Sequence, residues 1–171
     1  LHYNNDFKII NEVITTKLSE ERSKGIELLH GKAGTGKTSY IRHLVRQLKK
    51  KLIYIPSALA RRLGDPEFLP FLVNHTGSIL IIEDAEDILQ ERHGGDNGTM
   101  ANILNLGDGL LSDCLHIQII CTFNAPLTRI DKALLRKGRV IANYEFKPLT
   151  VEKSNKLLST LSLNHITVKE L

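Results

Sequence analysis

The sequence predicts an α/β fold, a parallel sheet covered by helices on both faces. Three observations lead there. Short β-branched runs alternate with helical patterns along the chain. Several of those runs are apolar residue after residue, as strands buried on both faces must be. One of them feeds directly into a glycine-rich turn followed by an amphipathic stretch. The 171 residues suit one domain, and an apolar content of 42% is enough to build a core.

In chain order, "GIELLHG" (25–31) reads as the first strand. The helix after the glycine-rich turn contains "IRHLVRQLKKK", where Ile41, Leu44, Val45 and Leu48 recur at i, i+3, i+4 and i+7 and predict one apolar face. Arg42, Arg46, Lys49 and Lys50 are expected on its other side. "KLIYIP" (51–56), "GSILIIED" (77–84), "LHIQIICTFN" (115–124) and "VIANYEF" (140–146) supply four more strands. Helices are expected over about 58–75, 99–111 and 131–136, and from Thr150, a capping residue after Pro148, to about 161. "RHGGDNGT" (92–99) reads as a mobile loop, and the last ten residues have no evident partner.

Charge and cysteine usage narrow the class. Much of the net charge of +4 comes from the basic helix, and no aromatic platform is interleaved with it, so a solvated face is expected there and a nucleic-acid surface is the alternative. No apolar run approaches the ~18 residues that cross a bilayer, and no N-terminal signal segment is evident. Cys114 and Cys121 point to reduced, buried thiols, and the scattered histidines have no metal-ligand spacing. A soluble, reducing, cytoplasmic setting is expected, and an organellar or membrane-tethered longer form is compatible with it. Residue 1 is Leu and the only methionine is Met100, so the chain is expected to be part of a longer translation product.

The chemistry is concentrated at the strand ends. Gly31-x4-Gly36-Lys37-Thr38 fits the phosphate-binding loop pattern G-x-x-x-x-G-K-[ST]. Glycines let the main chain turn tightly and aim several N–H groups at a phosphate, and the following helix adds its positive end. Gly31, Lys32, Ala33, Gly34, Thr35, Gly36, Lys37, Thr38 and Ser39 are the candidate nucleotide-binding residues. Lys37 is expected to reach the β- and γ-phosphates, and Thr38 to offer its hydroxyl to Mg²⁺. In "ILIIEDAED" a buried strand delivers Glu83 and Asp84 to the sheet edge where such folds bind ligands. One carboxylate can hold the metal's water shell while the other orients or deprotonates an attacking water. Glu86 and Asp87 are assigned to the first turn of the next helix. In "TFN" the Asn124 amide can bond the γ-phosphate or the attacking water, or it can simply form the turn before Pro126. In "RIDKALLRKGRV" Arg136 and Arg139 suit transferring phosphoryl oxygens, the alternative being two surface ion-pairing arginines.

Together, "GKAGTGKT" (Walker A), "ILIIED" (Walker B), "CTFN" (sensor 1) and "IDKALLRKGR" (arginine-finger region) resemble the AAA+ ATPases, over about residues 25–148. The Glu-Asp order and "ILNLGDG" are similar to the clade containing the mitochondrial translocase for the Rieske iron–sulfur protein. The resemblance implies a P-loop NTPase sheet of five parallel strands in the order 5-1-4-3-2, Mg²⁺-dependent ATP hydrolysis, and a homo-oligomeric ring, usually a hexamer, acting on a protein or nucleic-acid client. It divides the chain into an N-terminal linker and helix (1–24), the nucleotide-binding core (25–148) and the beginning of a C-terminal helical lid (149–171). Glu83 takes the metal-side place with Thr38, Asp84 the place of the usual catalytic glutamate, Asn124 that of sensor 1, and Arg136 that of the finger, with Arg139 its second. Asp84 is one methylene shorter than the usual residue, which implies slower turnover. "SALARRLGDP" lacks the aromatic of protein-threading relatives and is basic at Arg61 and Arg62. The segment before the first strand lies where relatives contact the adenine.

Three functions follow as hypotheses: a ring ATPase that remodels or translocates a client, a P-loop kinase for a small molecule, and a nucleotide-gated scaffold that hardly hydrolyses. The kinase leaves Glu83, Asp84 and Asn124 poorly explained and predicts no dependence on self-association. The scaffold is favoured by Asp84 and by the short lid.

Overall fold

Helix α1 (Phe7–Ser19) lies on one face of a five-stranded, all-parallel sheet made of β1 (Gly25–His30), β2 (Leu52–Tyr54), β3 (Ile79–Ile82), β4 (Gln118–Phe123) and β5 (Val140–Glu145). This computed structural model describes residues 2–89, 98–130, 132–136, 138–163 and 165–169. The strand order is β2-β3-β4-β1-β5, the expected 5-1-4-3-2 read from the other edge. The continuous apolar runs are the central strands: β1, β3 and β4 are buried at every residue.

Strand alternation then divides the core into two layers. Ile26, Leu28, Leu80, Ile82, Ile119, Cys121 and Phe123 face the side covered by α6 (Gly98–Asp108), α7 (Leu110–Leu115) and the segments around α3 (Ser57–Ala60), α4 (Leu69–Val73) and α5 (Glu86–Leu89). Leu29, Ile79, Ile81, Ile120 and Ala142 face α1 and α2 (Lys37–Gln47). Phe7, Tyr40, Tyr144 and Phe146 form an aromatic cluster there, with Phe7 and Tyr40 edge to face at 4.7 Å. Helix α8 (Val151–Thr160) starts as expected, with the Thr150 side chain accepting the Lys153 N–H.

Several expected elements take another form. The helix expected over 58–75 is broken into α3, a 3₁₀ turn at Pro66–Phe68 and α4, because Gly64-Asp65-Pro66 interrupts the main-chain ladder. The helix expected over 99–111 splits at Gly109, whose extended backbone starts α7. Residues 132–135 form turns rather than a helix, and Asp131 lies outside the described residues. Of the expected loop at 92–99, Gly98 and Thr99 belong to α6, and residues 92–97 lie outside the described residues. Val45, expected on the apolar face of α2, is 49% exposed. Cys121 is buried as expected, but Cys114 is exposed, and both are free. The C-terminal tail has a partner after all: Asn155 on α8 donates to the Val168 carbonyl at 3.1 Å and accepts its N–H at 2.8 Å.

The α2 side of β1 also buries a carboxylic acid. Glu27 is 0% exposed, and neither of its carboxyl oxygens has a hydrogen-bond partner among the described residues. Burial holds its carboxyl well above the usual glutamate range; its own main-chain N–H and the Lys50 charge oppose this more weakly. Lys50, expected on a solvated face, turns inward instead and donates to Gln118 Oε1 at 2.8 Å. Because the folded-state value is raised, the proton is bound in the fold and lost from the unfolded chain. Glu27 therefore costs nothing below the unfolded glutamate value, and stability falls as pH rises from there toward the folded value, by about 1.4 kcal/mol per unit. Glu27→Gln is expected to remove this slope and stabilise the protein at neutral pH. Urea midpoints from pH 4.5 to 8 check it, and parallel curves for the two proteins would contradict it.

Candidate nucleotide site

The turn between β1 and α2 can be made only by glycine at its first position. Gly31 has φ +138°, and a side chain there would meet the Phe146 carbonyl oxygen at 2.2 Å. That closeness follows from β5 continuing alongside β1, since the Phe146 N–H donates to the His30 carbonyl at 2.6 Å. At the other end Gly36 (φ +99°) immediately precedes α2, whose first residues are Lys37 and Thr38. The Tyr3 hydroxyl donates to the Gly36 carbonyl at 2.8 Å, and the Tyr3 ring lies where a Gly36 side chain would be. Burial pushes the Tyr3 phenol up to about 12, so it remains a donor across physiological pH.

The strand ends converge on Lys37. Its ammonium donates to the carbonyls of Gly31 (2.7 Å) and Lys32 (3.0 Å) and to Asn124 Oδ1 (2.8 Å). The Asn124 amide nitrogen in turn donates to Asp84 Oδ1 at 3.3 Å, so one side chain after β4 joins the loop lysine to an acid after β3. Burial lowers the Lys37 pKa from the ordinary lysine value, and the charges of Asp84, Glu86 and Glu83 counter it. Asp84 has φ +51°, a left-handed conformation that aspartate tolerates better than most residues. Thr38 Oγ1 donates to Glu83 Oε1 at 2.6 Å. A hydroxyl and a carboxylate on adjoining elements are hard oxygen donors, and they fit Mg²⁺ with water completing its shell.

The candidate residues are thus largely gathered. Lys37, Asn124 and Asp84 form one hydrogen-bonded chain beside the loop, and Thr38 and Glu83 form a second pair. A cavity of about 710 Å³ opens beside Lys32, Ala33, Gly34, Thr35, Gly36 and Ser39. Its far wall is His2 and Tyr3 from the N-terminal segment and Ser154 and Leu157 from α8. The two arginines lie apart from this set and differ from each other. Arg139 is held within the chain, its Nε on Asp108 at 2.9 Å and its Nη1 on the Ala133 carbonyl at 2.8 Å. Arg136 is exposed, in a turn before β5.

Sequence reasoning passed over three residues. Tyr3 lies just before the segment 4–18 that was placed near the adenine, and Asn4 was reached only as part of that segment. Asn4 binds the Pro148 carbonyl (3.0 Å) and the Thr150 N–H (3.2 Å), tying the N-terminal segment to the start of α8. Glu86, assigned to a helix turn, accepts the Asn124 main-chain N–H. These partners are 33 to 146 positions apart in sequence, and no local pattern marks them.

Comparison with known proteins agrees with this geometry. Residues 27–148 match the model of the ATPase family associated with various cellular activities (AAA). The chain is 32% identical over 145 residues to AAA-ATPase At2g46620 of Arabidopsis thaliana, covering 84% of the chain and 28% of that protein. It is 30% identical over 149 residues to the 26S proteasome regulatory subunit 8 homolog of Saccharomyces cerevisiae, covering 79% of the chain and 36% of that protein. The chain therefore spans about a third or less of the length of these relatives. A family match over residues 27–148, on a chain whose strand ends hold a loop lysine, an amide and an acid together, leaves one assignment: the chain belongs to the AAA family of ATPases.

Proposed function

We propose that this chain is the hydrolytic core of a ring-forming, Mg²⁺-dependent ATPase that remodels or translocates a macromolecular client. The observation that carries the proposal is the Asn124 amide bridging Lys37 and Asp84, because it joins the group that binds the γ-phosphate to the group that readies water. The N–H groups of the loop from Gly31 to Ser39 and the N-terminal end of α2 bind the triphosphate, while the wall of His2, Tyr3, Ser154 and Leu157 holds the nucleoside. Lys37 leaves its two carbonyl acceptors for the phosphate oxygens. Asn124 orients the attacking water, and Asp84 takes its proton as the new phosphorus–oxygen bond forms and the bond to ADP breaks. Thr38 and Glu83 hold Mg²⁺, which when bound neutralises charge on the phosphate oxygens.

Arg136 is proposed as the finger that a neighbouring subunit lends, since Arg139 is already engaged by Asp108. A homo-oligomeric ring, a hexamer by analogy with the family, follows from that role. The client remains a protein or a nucleic acid. In the loop after α3, Arg62 is taken up by Asp65 (2.9 Å) and Glu67 (3.2 Å), which leaves Arg61 as the exposed cation nearest the expected pore. No helix among the described residues is long and apolar enough to cross a membrane.

Phosphate release by the full-length chain, measured against protein concentration, tests the proposal. Specific activity is expected to climb with concentration as neighbours complete each site. A flat rate that needs an added acceptor would instead mark a kinase, and nucleotide binding without release a scaffold.

A further inference from the structure

The ends of β3 and β4 are stitched together by four hydrogen bonds. The Asp84 N–H donates to Thr122 Oγ1 at 3.3 Å, the Ala85 N–H to the Thr122 carbonyl at 2.8 Å, and Asn124 Nδ2 to Asp84 Oδ1 at 3.3 Å. The fourth, like the third, is donated from the β4 side, from the Asn124 main-chain N–H to the Glu86 carboxylate. The first two reach only as far as Thr122. Asn124 stands two residues beyond, past the last paired residue of β4, where the sheet no longer fixes the main chain. Its side chain must nevertheless serve Lys37 Nζ and Asp84 Oδ1 at once. An amide can do this only if its own Cα is held in place. The Glu86 side-chain oxygen, by accepting the Asn124 N–H, supplies that hold.

We infer that Glu86 is a positioning residue, whose carboxylate holds the Asn124 main chain so that the amide spans the loop lysine and Asp84. The inference rests on the hydrolase reading of this site. Glu86 touches no reacting atom in this role. It acts through Asn124, and what matters is its acceptor oxygen rather than its charge.

Glu86→Gln keeps that oxygen and Glu86→Ala removes it. In the full chain, Glu86→Ala is expected to lower kcat roughly 10–100-fold, the scale set by misplacing a catalytic group by about an ångström. KM for ATP should stay within about twofold, because the phosphate-binding loop is untouched, and Glu86→Gln should restore most of kcat. Hydrogen exchange at the Asn124 amide gives a readout that needs no turnover: about tenfold faster in Glu86→Ala, and near wild type in Glu86→Gln. Unchanged protection of that amide in Glu86→Ala would overturn the inference. So would faster exchange with an unchanged kcat, or a Glu86→Gln variant as slow as Glu86→Ala, which would make the charge itself the active feature. If the wild-type chain released no phosphate at any concentration, the hydrolase reading would fail, and the exchange measurements would still decide whether Glu86 holds Asn124.

Discussion

Lys37→Ala is expected to weaken binding of Mg²⁺–ATP by roughly a hundredfold while leaving the fold intact. The side chain is 7% exposed and its ammonium sits on two carbonyls of its own loop, where it is poised for a phosphate. A hydrogen bond to a charged group contributes about 1.5–3 kcal/mol, so losing contacts to two phosphates removes at least about 3 kcal/mol, or two decades in affinity. The stability change should be small. Burial already disfavours the charged lysine, and removing it relieves that cost as the bonds to Gly31, Lys32 and Asn124 are lost. Isothermal calorimetry with Mg²⁺–ATP measures the loss, and a thermal midpoint within a few degrees of wild type shows that the variant is folded. Wild-type affinity in a folded variant would remove Lys37 from the site and, with it, the basis for reading the loop as a triphosphate cradle.

What the sequence made legible follows from how local the causes are. β1, β3 and β4 were readable because a strand buried on both faces has to be apolar at each position, and the loop because only glycine passes the Phe146 carbonyl at Gly31. The gathering of Lys37, Glu83, Asp84 and Asn124 was readable because parallel strands deliver all their ends to one edge. The errors came where a non-local contact outweighed a local pattern. Val45 has the right period for the apolar face of α2, yet it stands about half exposed. Lys50 has the right period for solvent, yet Gln118 from β4 and the Glu20 carbonyl draw it inward. The helix that the spacing of apolar residues would have continued stops at Ala60, and Pro66 opens a separate 3₁₀ turn. Glu86 does open α5 as expected, but its second partner, the Asn124 amide, lies 38 positions away and is invisible to any short window.

Arg136→Ala is expected to leave ATP binding at its wild-type level and lower turnover by roughly 10³–10⁵, the range for losing a finger supplied from a neighbour. The structure sharpens the choice between the two arginines. Arg139 makes a 2.9 Å ion pair with Asp108 and also donates to the Ala133 carbonyl, so truncating it should act mainly on the packing between β5 and α6. Arg136 stands exposed in its turn and is available to a second copy. Asp84→Asn supplies the complementary lesion: it keeps a side chain that tolerates φ +51° and can still accept from Asn124, but it cannot take a proton from water. Neither variant alone should turn over. In a mixed ring, however, a protomer with an intact Asp84 and an altered Arg136 can sit beside one with an intact Arg136, and that site is complete. Equal mixing of the two inactive proteins should therefore restore about a quarter of wild-type activity, the statistical share of complete sites if subunits assemble at random. Phosphate release from the mixture, compared with each variant at the same total concentration, decides the matter. A mixture as inactive as its parts, from proteins that still co-assemble, would mean that Arg136 does not cross the interface. The exposed cation before β5 would then belong to the surface rather than to the reaction.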